Sequence, residues 1–281
     1  MRGLFSHPAF RNPSVVIGGG ILIVLLLVTL CAPLLSGLDP TAIAPRLRLK
    51  PPSDQYLMGT DALGRDIWTR AIYGGRISLL VAACVSVIAL SFGLVIGLLA
   101  GYIRWLDGPV MRAMDGLMAI PGILLAIALV SLSGANLTTV IVAITIPEIP
   151  RVARLVRSVV LSIREEPYVE AAVGLGTPTT KILISHVLPN TIAPLIVQGT
   201  YICASAILIE AILSFLGAGF SSEIPTWGNI IAEGRAVFQR APWIILFPGG
   251  LLACTILAVN ILGDGLRDTL DPRMKKRLGA T

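Results

Sequence analysis

Six long runs of apolar residues constrain the fold of this chain more than any other feature. A helix needs roughly 20 apolar residues to cross a hydrocarbon core about 30 Å thick. The runs that reach this length lie at about 14–35, 77–101, 114–133, 137–158, 190–216 and 243–263. Only 14% of the 281 residues are charged, whereas soluble domains contain about 25%. The sequence therefore predicts an all-α membrane protein with six transmembrane helices.

The distribution of basic residues predicts the orientation of these helices. With the N-terminus in the cytoplasm, the inner loops receive most of the 22 Lys and Arg residues, although the first outer loop also carries six. We therefore expect cytoplasmic N- and C-termini. The predicted segments are a cytoplasmic N-terminus (1–13), a first transmembrane helix (14–35), an outer loop (36–76), a five-helix core (77–265) and a cytoplasmic C-terminal tail (266–281). The basic C-terminal tail is equally compatible with contact with anionic lipid or a partner protein and with a tail that is simply solvated.

The outer loop 36–76 has two parts of different character. Residues 39–54 are rich in proline and are expected to be extended. Residues 62–76 place five apolar side chains on one face at helical spacing, namely Leu63, Ile67, Trp68, Ala71 and Ile72. This pattern predicts a short amphipathic helix that lies on the membrane surface, with a solvated connector as the alternative.

The residue types present exclude several kinds of chemistry. A nucleotide-binding P-loop needs Gly-x-x-x-x-Gly-Lys-Ser/Thr, and none of the lysines of this chain follows a glycine. The four cysteines lie singly in apolar runs and there are only two histidines, so we expect neither a disulfide framework nor a metal site. Basic loops that flank apolar spans account for the formal charge of +6, so we expect membrane lipid and no nucleic acid as a partner.

Two acidic residues, Glu148 and Glu210, lie within predicted spans, where a charge costs about 2.5–3.5 kcal/mol. Glu148 lies between Pro147 and Pro150, and it is either an acid that lines a pathway or a structural acid at a proline kink. Glu210 is the second pathway candidate, although its place near the outer end of its span favours an interfacial residue. A self-sufficient proton-coupled carrier would also need such acids, and this function is kept as an alternative.

Glycines recur every four residues in the second apolar run, at Gly93, Gly97 and Gly101. This spacing aligns them on one face of a helix, where the backbone of another helix can approach closely. The pattern is common in membrane proteins and predicts helix packing.

A polar loop at residues 164–188 separates two of the predicted spans and, in this orientation, faces the cytoplasm. Its first part reads as a short helix that starts at Pro167 and stops at a glycine, and its second part restarts as a helix that leads into the next span. The result would be a short helix roughly parallel to the membrane and held between two spans, a shape that a separate protein could grip.

Several motifs in this order resemble a known family. They are EAA at 170–172 followed by Gly176 and by Leu188 and Pro189, the segment GTDALGRDIWTRAIYGGRISL at 59–79, SFLGAG at 214–219, PTWG at 225–228, and NILGDGLRDTLDPR at 260–273. The chain resembles the membrane permease subunits of bacterial binding-protein-dependent ABC importers, in the dipeptide, oligopeptide and nickel branch, and among these the second permease type. One departure is that Ile149, Pro150, Arg151 and Val152 stand where relatives often show tryptophan and proline before Ala153 and Arg154.

The resemblance implies a type I ABC importer permease fold in the bacterial inner membrane, with loop 36–76 in the periplasm. It implies a non-catalytic subunit that forms the translocation pathway for peptides together with a second, homologous permease. Two separate ATPase subunits would bind ATP and Mg, and a periplasmic or lipid-anchored protein would capture the substrate. The chain itself would carry no cofactor. Nickel chelates, glutathione or another small solute are the alternative cargoes, and a structural or assembly protein is a further alternative function.

By the same resemblance, residues 165–178 within the polar loop would form a coupling helix that docks on an ATPase subunit. The contact residues would be Glu165, Glu166, Tyr168, Glu170, Ala171, Ala172, Gly174, Gly176 and Thr177. In this scheme Glu170 pairs with a basic residue of the ATPase, Ala171 and Ala172 permit close approach, and Gly176 lets the chain turn.

Overall fold

The computed structural model describes residues 12–221 and 223–270, so residues 1–11 and the tail from 271 onward, with their predicted cytoplasmic locations, lie outside the described residues. Regular structure in the described residues is helical, apart from one isolated β-bridge between Thr60 and Asp66. The helices are α1 (Pro13–Leu30), α2 (Ala32–Leu35), α3 (Ile67–Tyr102), α4 (Arg104–Ala119), α5 (Gly122–Ser133), α6 (Leu137–Ile163), α7 (Pro167–Gly174), α8 (Thr179–Ile182), α9 (Leu188–Phe215), α10 (Trp227–Gly234) and α11 (Trp243–Leu270). A π-helical turn (Leu183–Val187) joins α8 to α9, and short 3-10 turns lie at Pro45–Leu47 and Arg235–Val237.

Among the described residues, four helical stretches are long and apolar enough to cross a membrane. They are Pro13–Leu30, Ile67–Tyr102, Thr179–Phe215 and Trp243–Leu270, and a fifth is obtained if α4 and α5 count as one broken span. Helix α6 has 27 residues, enough to cross, but it contains Glu148 and three arginines. The all-α membrane fold is therefore confirmed, whereas the count of six spans stays a prediction.

The predicted span at 114–133 is not one straight helix. Helices α4 and α5 meet at an angle of 82° around Ile120 and Pro121. Proline lacks a backbone N–H and disfavours the α conformation in the residue before it, and Ile120 has an extended ψ of 126°. The run length predicts an apolar span here, but it does not predict the break that Pro121 imposes.

The amphipathic helix predicted within 62–76 is not a separate element but the start of a longer helix. Helix α3 begins at Ile67, where the Asp66 side chain accepts a hydrogen bond from the Thr69 N–H at 2.9 Å, and it continues without a break to Tyr102. Ile67 and Ala71 are fully buried. Their face packs against other parts of the chain, since Ile67 shares a small apolar cluster with Ile230 of α10 and Ile244 of α11.

Four charged residues hold the outer loop to the start of α3 and to α10. Asp61 Oδ2 lies 2.6 Å from Arg65 Nε and 2.7 Å from Arg70 Nη1, and Glu233 Oε2 lies 2.5 Å from both Arg65 Nη2 and Arg70 Nη1. Asp61, Arg65 and Arg70 are buried. Two of the six basic residues of the outer loop are thus neutralised locally, which accounts for their presence in a loop predicted to lie outside.

The glycine stripe on α3 packs against α6, as its spacing predicts. A Cβ added at Gly97 would lie 2.6 Å from both the Ala153 carbonyl oxygen and the Val156 Cβ, and one at Gly101 would lie 2.7 Å from the Val160 Cβ. Such separations are shorter than van der Waals contact, so only glycine permits the two helices to lie this close. This packing fixes α6, the helix that leads into the polar loop.

Candidate functional site

Helix α7 forms the first part of the polar loop, with the start and stop that the sequence predicts. Glu166 occupies the N-cap position in an extended conformation, and Pro167 takes the first helical position, where a missing N–H has no cost. Glu170 lies in the first turn, where a negative charge is favourable next to the positive end of the helix dipole. The local sequence therefore determines where α7 begins.

The C-terminus of α7 closes with a hydrogen-bonded turn that requires a left-handed residue. The Gly176 N–H donates to the Val173 carbonyl at 2.9 Å and the Thr177 N–H donates to the Ala172 carbonyl at 3.0 Å. These two bonds form a Schellman motif, in which the residue after the C-cap takes a positive φ. Gly176 has a φ of +76°, and a Cβ there would meet open space. Glycine is needed at this position because of its positive φ, since an added Cβ would not clash with any neighbouring atom.

The contact residues predicted on the polar loop do not all face the same way. Glu165, Glu166, Tyr168, Glu170, Ala171, Gly174 and Gly176 are exposed, and Thr177 is half-buried. Ala172 is buried with Val169 in the main apolar core, so its side chain faces this chain's own helices and not a partner. Two residues outside the predicted set are also exposed, since Val173 is 54% and Leu175 is 86% exposed. The helical period does not identify Val173, because it lies four residues after the buried Val169 and therefore near the same side of the helix.

A π-helical turn connects the polar loop to α9. Pro189 has no N–H to donate, and the Leu188 N–H bonds five residues back to the Leu183 carbonyl. The Asn190 side-chain amide donates to the His186 carbonyl at 2.7 Å. The Tyr168 and His186 rings lie 6.0 Å apart, so α7 also contacts this turn directly. The polar loop is thereby joined to α9 by a continuous helical path.

Glu148 is buried between α6 and α9, with 1% of its side chain exposed. Its Oε1 accepts hydrogen bonds from Arg151 Nη1 at 2.8 Å and from Ser205 Oγ of α9 at 3.2 Å. Its Oε2 has no hydrogen-bond partner among the described residues. Sequence reasoning identified Glu148 but missed Ser205, which only the packing of α9 on α6 brings to it.

Glu210 is buried among this chain's own helices, and its place near the membrane interface stays a prediction. It is 1% exposed, and its two carboxylate oxygens accept from Ser78 Oγ at 3.1 Å and Ser214 Oγ at 3.0 Å. Ser78 lies on α3, so Glu210 links α3 to α9. Both oxygens are satisfied by this chain, which favours a structural role.

The three arginines in the C-terminal half of α6 make ion pairs with different partners. Arg157 contacts Asp107 of α4 through Nε at 2.5 Å and Nη2 at 2.6 Å, and Arg154 Nη2 contacts Asp115 of α4 at 2.6 Å. Arg151 pairs with Glu148 on its own helix. In the part of the chain that the structure describes, no three His, Cys, Asp or Glu side chains cluster in a way that could hold a metal ion.

Comparison with known families shows two matches along the chain. Residues 93–276 match the family described as the binding-protein-dependent transport system inner membrane component. Residues 7–52 match the N-terminal transmembrane domain of oligopeptide transport permease C. The first match alone covers more than half of the chain and includes the polar loop, while the second ends at residue 52, within the predicted outer loop.

Individual proteins are similar over most of the chain. The chain is 56% identical to a probable peptide ABC transporter permease protein, y4tQ, of Sinorhizobium fredii over 96% of this chain and 92% of that protein. It is 43% identical to the dipeptide transport system permease protein DppC of Alkalihalophilus pseudofirmus over 94% and 88%. It is 41% identical to the glutathione transport system permease protein GsiD of Pectobacterium atrosepticum over 80% and 75%.

A solved structure shares the fold. One chain of the MetNI methionine ABC transporter, crystallised in inward-facing conformations, matches with a TM-score of 0.50 and 20% identity, over 69% of this chain and 94% of that chain.

Proposed function

The chain belongs to the family of inner-membrane components of binding-protein-dependent transport systems, and from this we infer that it forms the translocation pathway of an ATP-driven peptide importer. It is a multi-pass protein of the bacterial inner membrane with a type I ABC permease fold. Peptides are favoured over nickel chelates, glutathione and other small solutes because the most similar relatives reported above are named for peptide or dipeptide transport.

The energy for transport comes from other subunits in this proposal. The sequence has no P-loop, so ATP and Mg would be bound by two ATPase subunits. A second, homologous permease would complete the pathway, and a periplasmic or lipid-anchored protein would deliver the peptide. The subunit itself would be non-catalytic and would carry no cofactor.

The observation that carries the coupling role is the placement of α7. It follows α6 after a three-residue turn, and its inner face is buried in the core through Val169 and Ala172. Glu170, Tyr168 and Val173 are exposed on α7, and exposed Leu175 follows its last turn, a mixture of charge and apolar surface that suits a protein partner. Because α7 is attached to both α6 and α9, movement of an ATPase that grips this surface would be transmitted to both helices.

Two substitutions test the coupling role in the complete reconstituted importer. Glu170→Lys reverses the charge offered to the ATPase, and Gly176→Leu strains the turn that ends α7. We expect both variants to insert and to hydrolyse ATP while peptide uptake per ATP falls at least about tenfold, a loss of about 1.4 kcal/mol of coupling. Glu223→Lys, an exposed site in the loop between α9 and α10, is the matched control. Wild-type uptake per ATP in Glu170→Lys and Gly176→Leu would overturn the assignment.

The proton-coupled carrier predicts a different result. Purified chain alone in liposomes would then take up peptide when a pH gradient is imposed, without ATPase subunits. The peptide importer predicts no uptake by the chain alone and ATP-dependent uptake by the assembled complex.

A further inference from the structure

Glu148 has a carboxylate oxygen that this chain leaves unsatisfied. Its side chain is 1% exposed, one oxygen is bonded to Arg151 and Ser205, and Oε2 has no partner among the described residues. A buried acceptor without a partner is costly, and in native proteins such groups concentrate at sites with a function. Glu210, the other acid in a predicted span, has both oxygens satisfied by serines, so of these two acids only Glu148 has an unsatisfied oxygen.

Arg151 supplies the opposite charge next to this oxygen. It donates to Glu148 through Nη1 only, while a guanidinium carries five N–H groups. Its side chain is 44% exposed, so its outer N–H groups are accessible. Arg154 and Arg157 are each paired with a carboxylate of α4, whereas Arg151 faces the acid of its own helix. The pair thus combines a buried acceptor that has no partner among the described residues with the donors of a partly exposed arginine.

The site spans the two helices that flank the polar loop. Glu148 and Arg151 lie on α6, which ends where the loop begins, and Ser205 lies on α9, into which the loop continues. Movement of α7 that shifts α6 relative to α9 would change the Ser205–Glu148 contact of 3.2 Å. The carboxylate is therefore placed where movement of the loop can expose or enclose it.

We infer that Glu148, Arg151 and Ser205 form a binding site for the two charged termini of a transported short peptide. The peptide ammonium group binds Glu148 Oε2, and the peptide carboxylate binds the accessible N–H groups of Arg151. A dipeptide spans at most about 7 Å, so its ends suit two adjacent groups of opposite charge. The inference rests on the proposed peptide-import function and adds to it the chemical group that the pathway recognises.

The test separates the two termini in the reconstituted importer. The probes are alanyl-alanine, N-acetyl-alanyl-alanine and alanyl-alaninamide, measured as direct binding to the solubilised permease–ATPase complex without binding protein and as ATP-dependent uptake. The wild type should prefer alanyl-alanine over both blocked peptides. Glu148→Gln, which keeps the size of the side chain, should weaken alanyl-alanine binding about tenfold and remove the preference against the acetylated peptide. Arg151→Gln should instead remove the preference against the amide.

Two further variants serve as controls, one that conserves the charge of Arg151 and one that changes a neighbouring arginine. Arg151→Lys retains the positive charge and should retain the preference for a free carboxylate. Arg154→Gln is the matched control, because Arg154 lies one turn away with a similar exposure of 47% and pairs with Asp115. It should leave both preferences at wild-type values.

The outcomes distinguish this inference from the proposed function. If the wild-type complex imports peptides but Glu148→Gln and Arg151→Gln bind all three probes as the wild type does, or weaken all three equally, the ion pair is structural and the inference is wrong. If the wild-type complex imports no peptide with ATP, the proposed function itself fails.

Discussion

Gly174 and Gly176 lie two residues apart at the end of α7 and differ only in backbone conformation. A Cβ at either position would meet open space, but only Gly176 has a positive φ, of +76°. L-residues pay roughly 1–2 kcal/mol in the left-handed region, whereas alanine in place of glycine inside a helix is favourable by roughly 0.5–1 kcal/mol. The two glycines therefore offer a comparison in which steric contact is held constant.

We predict opposite effects of the same substitution at these two positions. Gly176→Ala should destabilise the turn by about 1 kcal/mol and speed amide hydrogen exchange at residues 175–177, because the Schellman hydrogen bonds depend on the left-handed residue. Gly174→Ala should leave exchange unchanged or slow it. Equal protection in the two variants would show that the turn does not need a positive φ.

Arg70 carries a buried charge between Asp61 and Glu233, while Arg76 lies on the same helix and is exposed. Arg70→Gln would leave the buried carboxylate of Asp61 and the half-buried carboxylate of Glu233 without full compensation, and breaking a buried pair typically costs about 3–5 kcal/mol. We expect the free energy of unfolding in detergent to fall by that order, and Arg76→Gln to change it by less than about 0.5 kcal/mol. Similar losses for both arginines would contradict the role assigned to the outer ion cluster.

At the scale of elements, the contact between α3 and α6 depends on glycines whose neighbours cannot yield. The Ala153 carbonyl oxygen lies 2.6 Å from the place where a Cβ of Gly97 would stand, and it belongs to a helix backbone. Glycines at this spacing in a lipid environment allow close approach, because lipid tails supply no hydrophobic drive for association. The same helix α6 carries Glu148, so the α3 contact also positions the proposed peptide site.

Gly97→Leu should push α6 away from α3 and lower stability by about 1–3 kcal/mol through overpacking. The measurement is the free energy of unfolding in detergent, together with binding of alanyl-alanine. Gly116→Leu on α4 is the control, since a Cβ there meets open space and the residue is exposed. A Gly97→Leu protein as stable as the control would mean that the stripe is not a packing surface.

At the scale of the whole molecule, the proposals require the polar loop to lie in the cytoplasm. The polar loop and the outer loop 36–76 must then be on opposite sides of the membrane. The positive-inside distribution supports this orientation, and the buried pairs of Arg65 and Arg70 account for part of the basic charge on the other side.

Cysteine labelling tests the orientation in intact cells that carry the complete importer. In a variant whose four native cysteines are replaced by alanine, Asp54→Cys should react with a membrane-impermeant maleimide from outside. Thr179→Cys should react only after the membrane is opened. Both positions are exposed in the chain. Labelling of Thr179→Cys from outside would place the polar loop beyond the reach of cytoplasmic ATPases.

The sequence by itself determined the features that depend on neighbours along the chain. Apolar run length predicted the membrane fold, Pro167 and Gly176 marked the ends of α7, and the glycine spacing predicted the face that α3 turns to another helix. The motifs around residues 170–189 also identified the family, which the comparisons confirm. Each of these signals acts within a few helical turns, so a single segment contains it.

Only the tertiary structure decided which side chains from distant segments meet. Ser205 reaches Glu148 because α9 lies against α6, and Ser78 of α3 reaches Glu210 of α9. Glu233 of α10 contacts the same two arginines that pair with Asp61. The tertiary structure also turned the apolar face at Ile67 toward α10 and α11 and not toward lipid. An amphipathic pattern predicts that one face of a helix is buried, but it does not predict which surface covers that face. The free energy of burial depends on the area removed from water and not on the identity of the covering surface.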